Sequence, residues 1–383
     1  MGRWCPPLVI VGSGMAGYGL LRAMRRGESQ RPVEIFTQDD GAAYSRAEFA
    51  SALAVRRGAG DLVLATAEQM GHRLNATVRT FSRVLGIDRA RRRLQLERGE
   101  CEYGRLVLAT GCESVRPASL RGNATDQVLT ISSLAEYRYF SNAVAGRREV
   151  VFVGGGLAGC ELADNLASAG YTVTVLESGP QLMAGRVPLL SAAFVARAMR
   201  ANGVKVVLED GLQRVDHGRE GLDLVALSGA DMRADVVVAA LGGRPRTALA
   251  SAAGLDVGRG VAVDSALRTA DPHIHAIGEC AEMDGRLFDL PDDIDVSARV
   301  LALVLEGQPA RMTWRPKMRR PRFGQCPVVL CEPPALAGEW HEKATARGVR
   351  ALFHDMRGDL RGFVLTGETT DDADRLFRRI GGQ

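Results

Sequence analysis

One pattern occurs twice in this chain. "LVIVGSGMAGYGLLRAM" runs from Leu8 as a short apolar stretch, then Gly12, Gly14 and Gly17, then a helical spacing of apolar residues. "VVFVGGGLAGCELADNLASAGYTVTVLE" repeats it from Val150 with Gly154, Gly156 and Gly159. In such a turn the first glycine makes the bend and the second lets the backbone approach a pyrophosphate. The third lets helix and strand pack closely. The helix start adds unpaired N–H donors and the positive end of its dipole. One GxGxxG matches many loops by chance. Here each copy lies between a strand and a helix, and each has a later strand: "RLVLATG" ending at Gly111, and "DVVVAALGG" ending at Gly242 and Gly243. This predicts two α/β nucleotide-binding halves.

The acid after each second strand should report on the ligand. In the second copy "YTVTVLE" ends in Glu177, about 20 residues past the glycines, where it would accept from an adenosine ribose. A carboxylate there repels a 2′-phosphate, which favours NADH over NADPH; a solvated strand-end acid is the alternative. In the first copy "VEIFTQDDG" ends at Thr37 with Asp39 and Asp40 just beyond, and the ribose contact is left open. A third acid follows "HAIG": Glu279, where a turn should begin a helix and the shorter Asp is the usual choice.

Other properties exclude more than they identify. At 383 residues the chain is long enough for two or three domains. A net charge of +4 does not argue for nucleic acid. No apolar run reaches the roughly 18 residues of a membrane span, and the apolar N-terminal run breaks into Gly12 as a strand, not a signal peptide. The 7 cysteines are odd in number and scattered, with no metal-type spacing, as in a cytoplasmic protein with reduced thiols. "CPVVLC", Cys326 to Cys331, has a redox-like spacing, but Val-Val-Leu reads as strand, and five strand steps span about 16 Å, against the ~7 Å a disulfide tolerates.

With these motifs, "DDGAAYSRAEFA", "ALGGRPRTALA", "GVAVDSALRTADPHIHAIGECAEMDG" and the C-terminal "CPVVL", the chain resembles the FAD- and NAD(P)H-dependent rubredoxin reductases, relatives of ferredoxin reductases and of the glutathione-reductase superfamily. The resemblance covers nearly the whole length. It implies two Rossmann-like domains, for FAD and NAD, plus a small C-terminal α+β domain. The expected boundaries are 6–117 and 244–310 for FAD, 118–243 for the nicotinamide nucleotide, and 311–383 for the C-terminal domain. It implies cofactor-binding roles for Gly12, Gly14, Met15, Ala16, Gly17, Thr37, Arg46, Ala109, Thr110, Gly111, Gly154, Gly156, Leu157, Gly159, Glu177, Gly242, Gly278 and Glu279. By the same likeness Arg46, Glu161 and Arg322 are catalytic. Glu161 would reach the nicotinamide end, or serve as a helix N-terminal acid. No metal ligands are implied.

Four departures from the family pattern cluster around the expected flavin. Glu279 stands for Asp; one extra carbon moves its carboxylate by roughly 1.5 Å, so Glu279 folds back, the helix retreats, or the FAD contact is altered. Arg46 and Arg322 stand where the family has Lys; Arg keeps the charge but cannot release its proton, and a plain surface role stays open for each. Asp292, Asp293 and Asp295 crowd the start of a helix whose family counterpart begins with apolar residues, either as caps or to oppose reduced flavin. The superfamily's redox cysteine pair is missing from Tyr44 to Val55, so disulfide reduction is not expected.

The implied activity is hydride transfer from NADH to FAD and then electron transfer to a small acidic iron–sulfur protein such as rubredoxin. Arg311, Arg315, Lys317, Arg319, Arg320 and Arg322 would steer that partner or form a solvated loop. A flavoprotein acting on a small molecule, or a nucleotide-binding subunit without turnover, stays open. Ser133 and Glu136 have capping-box spacing. A Gly turn near Gly358 should join two strands, and "DDADRLFRRI" should form a closing helix.

Overall fold

The structure, a computed structural model, describes residues 7–55 and 57–381. The expected start of the FAD segment at Pro6, its neighbour Cys5, and the last two residues of the C-terminal segment lie outside these. The chain divides into two compact units: residues 1–45, 63–113 and 243–314, and residues 46–62, 114–242 and 315–383.

In the first unit the strands Leu8–Val11, Val33–Phe36, Thr77–Arg79, Arg105–Leu108 and Ile274–Ala276 form one parallel sheet. Its order is Ile274–Ala276, Arg105–Leu108, Leu8–Val11, Val33–Phe36, Thr77–Arg79. Leu8, Val9, Ile10, Leu106 and Val107 are fully buried, as continuous apolar strands covered on both faces must be. The helices Met15–Arg26 and Pro291–Leu305 pack together in this core. Strand order reverses between Leu8–Val11 and Arg105–Leu108, so the carboxyl ends of these two strands open a crevice where a ligand can sit.

The second unit repeats the plan. Its parallel sheet runs Lys205–Val207, Thr172–Leu176, Glu149–Val153, Val236–Ala239, Val128–Leu129. The reversal falls between Glu149–Val153 and Val236–Ala239. The C-terminal residues build a five-stranded antiparallel sheet in the order Met318–Arg319, Val328–Cys331, Leu360–Thr366, Val349–Asp355, Gly338–Ala344. Gly358 turns between two of these strands at φ +81°. The closing helix is shorter than its sequence suggests: Gly367–Asp372 is 3-10 and only Ala373–Arg379 is α, packing Leu376 against Phe363 and Leu365.

Cys326 and Cys331 are both buried, with Cys331 at the end of a strand, and neither is in a disulfide. No helix among the described residues is long and apolar enough to cross a membrane.

The predicted capping box at Ser133 forms by half. Ser133 Oγ accepts from Glu136 N, but the Glu136 carboxylate accepts from Ser132 N at 2.6 Å and from the Ser132 and Thr130 hydroxyls. Burial works against its charge, yet these donors hold its pKa below the usual range. The Gly278–Cys280 turn begins no helix either: it is one 3-10 turn followed by the strand Ala281–Met283, and the helix starts only at Pro291.

Candidate dinucleotide site

The two glycine turns sit at the carboxyl ends of Leu8–Val11 and Glu149–Val153, at the two points where strand order reverses. Gly12 (φ +115°) and Gly154 (φ +108°) lie in backbone regions that favour glycine. A Cβ on Gly12 would overlap the carbonyl oxygen of Ala109, and one on Gly154 would stand 2.7 Å from that of Ala240. Gly17 and Gly159 close the packing, each facing the carbonyl of the first glycine of its own turn. Gly14 and Gly156 differ from these: a Cβ on either meets nothing within 4 Å.

Those two open glycines are N-caps of the helices Met15–Arg26 and Leu157–Ser168. Neither helix has a capping side chain or an acid in its first turn. By contrast, Thr66 caps Ala67–Leu74 and Ser133 caps Leu134–Val144, with Glu68 and Glu136 in their first turns. The glycine-turn helices thus present uncapped N–H groups, including those of Met15, Ala16 and Leu157, beside a space that only glycine leaves open. That is the donor set a pyrophosphate requires.

In the first unit Ser13 Oγ donates to Thr37 Oγ1 at 3.0 Å, and Thr37 Oγ1 donates to Asp39 Oδ1 at 2.6 Å. The same Asp39 oxygen accepts from Gly41 N. The strand-end acid is therefore displaced two residues, a feature the sequence left unresolved. Gly278 (φ +72°) lies against Ala16, whose Cβ a side chain there would reach at 2.6 Å. Glu279 turns its carboxylate toward the Ala109–Gly111 bend, with Oε2 4.0 Å from the place of a Cβ on Gly111. Thr110 Oγ1 donates to the Arg246 carbonyl at 2.9 Å and Gly111 O accepts from Arg246 N at 2.9 Å, which ties the bend down.

In the second unit Glu177 spans the glycine loop. Its Oε2 accepts from Gly155 N at 2.7 Å and its Oε1 from Gly179 N at 2.7 Å. Gly242 (φ +87°) is more remote; its carbonyl accepts from Val115 N at 3.0 Å, while Ala240 lines the turn itself.

The residues expected to do chemistry also belong to the second unit. Arg46 is half-buried in the 3-10 turn Arg46–Glu48. Glu161 is not a first-turn acid: it lies one turn further along its helix, and its Oε1 accepts from the Arg322 backbone N at 3.0 Å. Burial pushes the Glu161 carboxyl up, against the Arg322 N–H and guanidinium. Arg322 Nη1 meets Glu48 Oε1 and Ser51 Oγ, both at 3.2 Å. Asn165 donates to the Arg322 carbonyl at 2.6 Å, and Asp164 accepts from Gly324 N at 2.7 Å. Sequence reading missed this polar clasp, because residues 160 positions apart leave no local signal.

Two expected charge clusters come apart. Asp295 is paired with Arg299 at 3.0 Å on an exposed face, Asp292 is exposed, and only Asp293 is buried. In the basic stretch Arg319 meets Glu332, Arg320 meets Asp374 and Arg322 meets Glu48, so at least three of the six cations are neutralised locally.

A family model for pyridine nucleotide-disulphide oxidoreductases matches residues 6–304. The chain belongs to this family. A rubredoxin binding C-terminal domain matches residues 324–380. The chain is 35% identical over 378 residues to a rubredoxin-NAD(+) reductase of Alcanivorax borkumensis, covering 98% of each. It is 33% identical to a nitric oxide reductase FlRd-NAD(+) reductase of Vibrio vulnificus, again over 98% of each. Its fold matches a ferredoxin reductase from Rhodopseudomonas palustris with a TM-score of 0.86 at 24% identity, over 98% of this chain and 93% of that one. It also matches NADH:rubredoxin oxidoreductase from Clostridium acetobutylicum with a TM-score of 0.80 at 15% identity, over 99% and 95%. As a member of the family it is an oxidoreductase whose cofactors are FAD and a nicotinamide nucleotide. The open Gly14 and Gly156, the uncapped helix starts and the acid-free first turns fit two such diphosphates.

Proposed function

We propose that the protein takes reducing equivalents from NADH and delivers electrons to a small iron–sulfur protein of the rubredoxin kind. Bound FAD supplies the chemistry, accepting a hydride and giving up electrons singly. The chain's own residues bind and orient. Residues 6–117 and 244–310 hold FAD: the N–H groups at Met15 to Gly17 meet its pyrophosphate, with Thr37, the Ala109–Gly111 bend, Gly278 and Glu279 around the rest. Residues 118–243 hold the nicotinamide nucleotide on Gly154, Gly156, Leu157 and Gly159, with Gly242 beside it.

The observation that carries the choice of NADH is Glu177. Its Oε1 takes Gly179 N and the Ser178 hydroxyl, while its Oε2 takes Gly155 N and keeps a lone pair for a ribose hydroxyl. A 2′-phosphate would meet a carboxylate instead. Arg46, Glu161 and Arg322 orient the reacting ends. Residues 311–383 receive the partner, and Arg315, exposed and without a carboxylate partner among the described residues, contributes to its steering. We place this work in the cytoplasm, where thiols stay reduced.

The test is spectroscopic. Purified protein should carry a flavin absorbance that NADH bleaches without oxygen, and oxidised rubredoxin should restore it. Flavin that stays oxidised under NADH defeats the proposal. Flavin that NADH bleaches but rubredoxin leaves reduced defeats the choice of partner.

A further inference from the structure

The end of the first unit's sheet opposite the glycine turn gathers arginines. Arg105 opens its strand and pairs in register with Leu8. Ile274 pairs with Leu106, so His273 lies beside Arg105 on the same face. The Arg105 Nη1 is 2.5 Å from His273 Nδ1. A guanidinium only donates, so that nitrogen accepts.

Three more arginines are brought here by backbone contacts. Arg31 precedes Pro32, whose carbonyl accepts from Leu8 N at 3.1 Å. The carbonyl of Arg92 accepts from Tyr103 N at 2.9 Å, two residues before Arg105. Arg268 forms an antiparallel bridge with His275. Burial, and then Arg31, Arg92 and Arg268, lower the pKa of Arg105. Burial, and then Arg105 and Arg268, depress that of His275 to about 4, and its Nδ1 is buried without a partner.

The nearby carboxylates make other contacts, and Asp264 opposes part of the positive charge around His275. Asp264 Oδ1 accepts from the Ala266 and Arg268 backbone N–H groups. Asp271 pairs with Arg89 at 3.0 Å and accepts from His273 N. Among the described residues none of the four arginines is in an ion pair, whereas Arg79, Arg89 and Arg244 of the same unit all are. Arg92 also has φ +53°, a backbone region that disfavours a long side chain.

Like charges held together by the backbone, at a cost in repulsion, call for an anion. Guanidinium forks match the oxygens of phosphate in geometry and charge. We infer that Arg31, Arg92, Arg105 and Arg268 form a binding site for a small multivalent oxyanion of the phosphate class, distinct from both dinucleotide turns. Four strand residues, about 13 Å, separate it from the first turn. It does not depend on the proposed electron partner.

The test uses full-length protein saturated with FAD and NAD+, so that both glycine turns are filled, and titrates inorganic pyrophosphate by calorimetry. One saturable site is expected. Arg92 and Arg268 are exposed, so Arg92→Gln with Arg268→Gln should fold and weaken binding about 100-fold, tenfold for each charge-assisted contact. That variant without pyrophosphate should melt higher than wild type, since repulsion is relieved. Tighter binding of ADP than of pyrophosphate assigns the phosphate to a nucleotide, and equal or weaker binding to a free anion; both sustain the site. No saturable heat, an unchanged affinity in the double variant, or the same melting shift from chloride at equal ionic strength overturns it.

Discussion

The two glycine turns share a backbone but are finished differently. Gly19 and Glu161 occupy the same position, seven residues past the first glycine of each turn. In the first unit that position is bare, and a Cβ on Gly19 would be 3.5 Å from Ala298, where the Pro291–Leu305 helix packs close. In the second it is a carboxylate that fastens the backbone of Arg322. One residue earlier, Tyr18 donates its hydroxyl to Gly41 O at 2.6 Å, whereas Cys160 Sγ reaches Gly155 O at 3.2 Å. The first turn is sealed into its own core. The second is wired through polar side chains to the segment leading into the C-terminal sheet. A shared motif therefore specifies the open glycine turn, and the helix behind it specifies what that turn is coupled to.

The largest expected difference lies in the first glycines. Gly12→Ala combines a disfavoured φ with an overlap against Ala109 O and should cost about 4 kcal/mol. Gly154→Ala has a similar φ but a smaller overlap, its Cβ 2.7 Å from Ala240 O, and should cost about 2 kcal/mol. Urea denaturation of both variants checks this. Equal costs would mean that the first turn is no tighter than the second.

Gly14→Ala and Gly156→Ala should separate the turns by ligand. Both glycines have ordinary φ values, −70° and −68°, and open space around the missing Cβ. Stability should change by less than about 0.5 kcal/mol. A methyl in the diphosphate space should nonetheless weaken FAD alone in the first variant and raise the KM for NADH alone in the second, each about tenfold or more. Flavin content and steady-state kinetics distinguish the two; loss of both cofactors in one variant would break the division of labour.

The acids differ in the same way. Glu177→Ala removes the acceptor for a ribose hydroxyl and should lower kcat/KM for NADH about tenfold while narrowing its lead over NADPH. Asp39→Ala should lower FAD affinity, because Thr37 and Gly41 fill only Oδ1 of Asp39 and its other oxygen can accept from a ligand. Ratios of kcat/KM for the two nucleotides, and FAD dissociation constants, measure the contrast.

Much of this was legible in the residues, because periodicity and glycine spacing are local. Apolar runs of four or five residues before Gly12 and Gly154 specify buried strands, and each turn dictates the helix after it. Glu177 was legible for the same reason, since it ends the next strand. The remainder was set by distant partners. Nothing near Arg322 announces Glu48, and nothing near Glu161 announces Arg322. Asp292, Asp293 and Asp295 look like one acidic cluster in the sequence, but a helix turns successive residues about 100° apart, and so one is buried while another pairs with Arg299. The capping-box spacing at Ser133 was right, but Glu136 found better donors at Ser132 and Thr130.

The smallest effect concerns pH, and it follows from Glu161 and its bare counterpart Gly19. Burial raises the Glu161 pKa, so the folded chain holds this proton more tightly than the unfolded chain does. The stability it contributes is complete below the unfolded carboxyl value, near 4.3, and is lost as pH rises through the higher folded value. Gln keeps an oxygen that can accept the Arg322 N–H but carries no proton to lose. Glu161→Gln should therefore gain stability over wild type as pH rises from 4 toward 7, and the gain should level off once the folded carboxyl is ionised. Urea midpoints across that range measure it. A difference that does not vary with pH would show that the Arg322 N–H and guanidinium offset burial in full, and that the clasp holds a carboxylate as readily as a neutral amide.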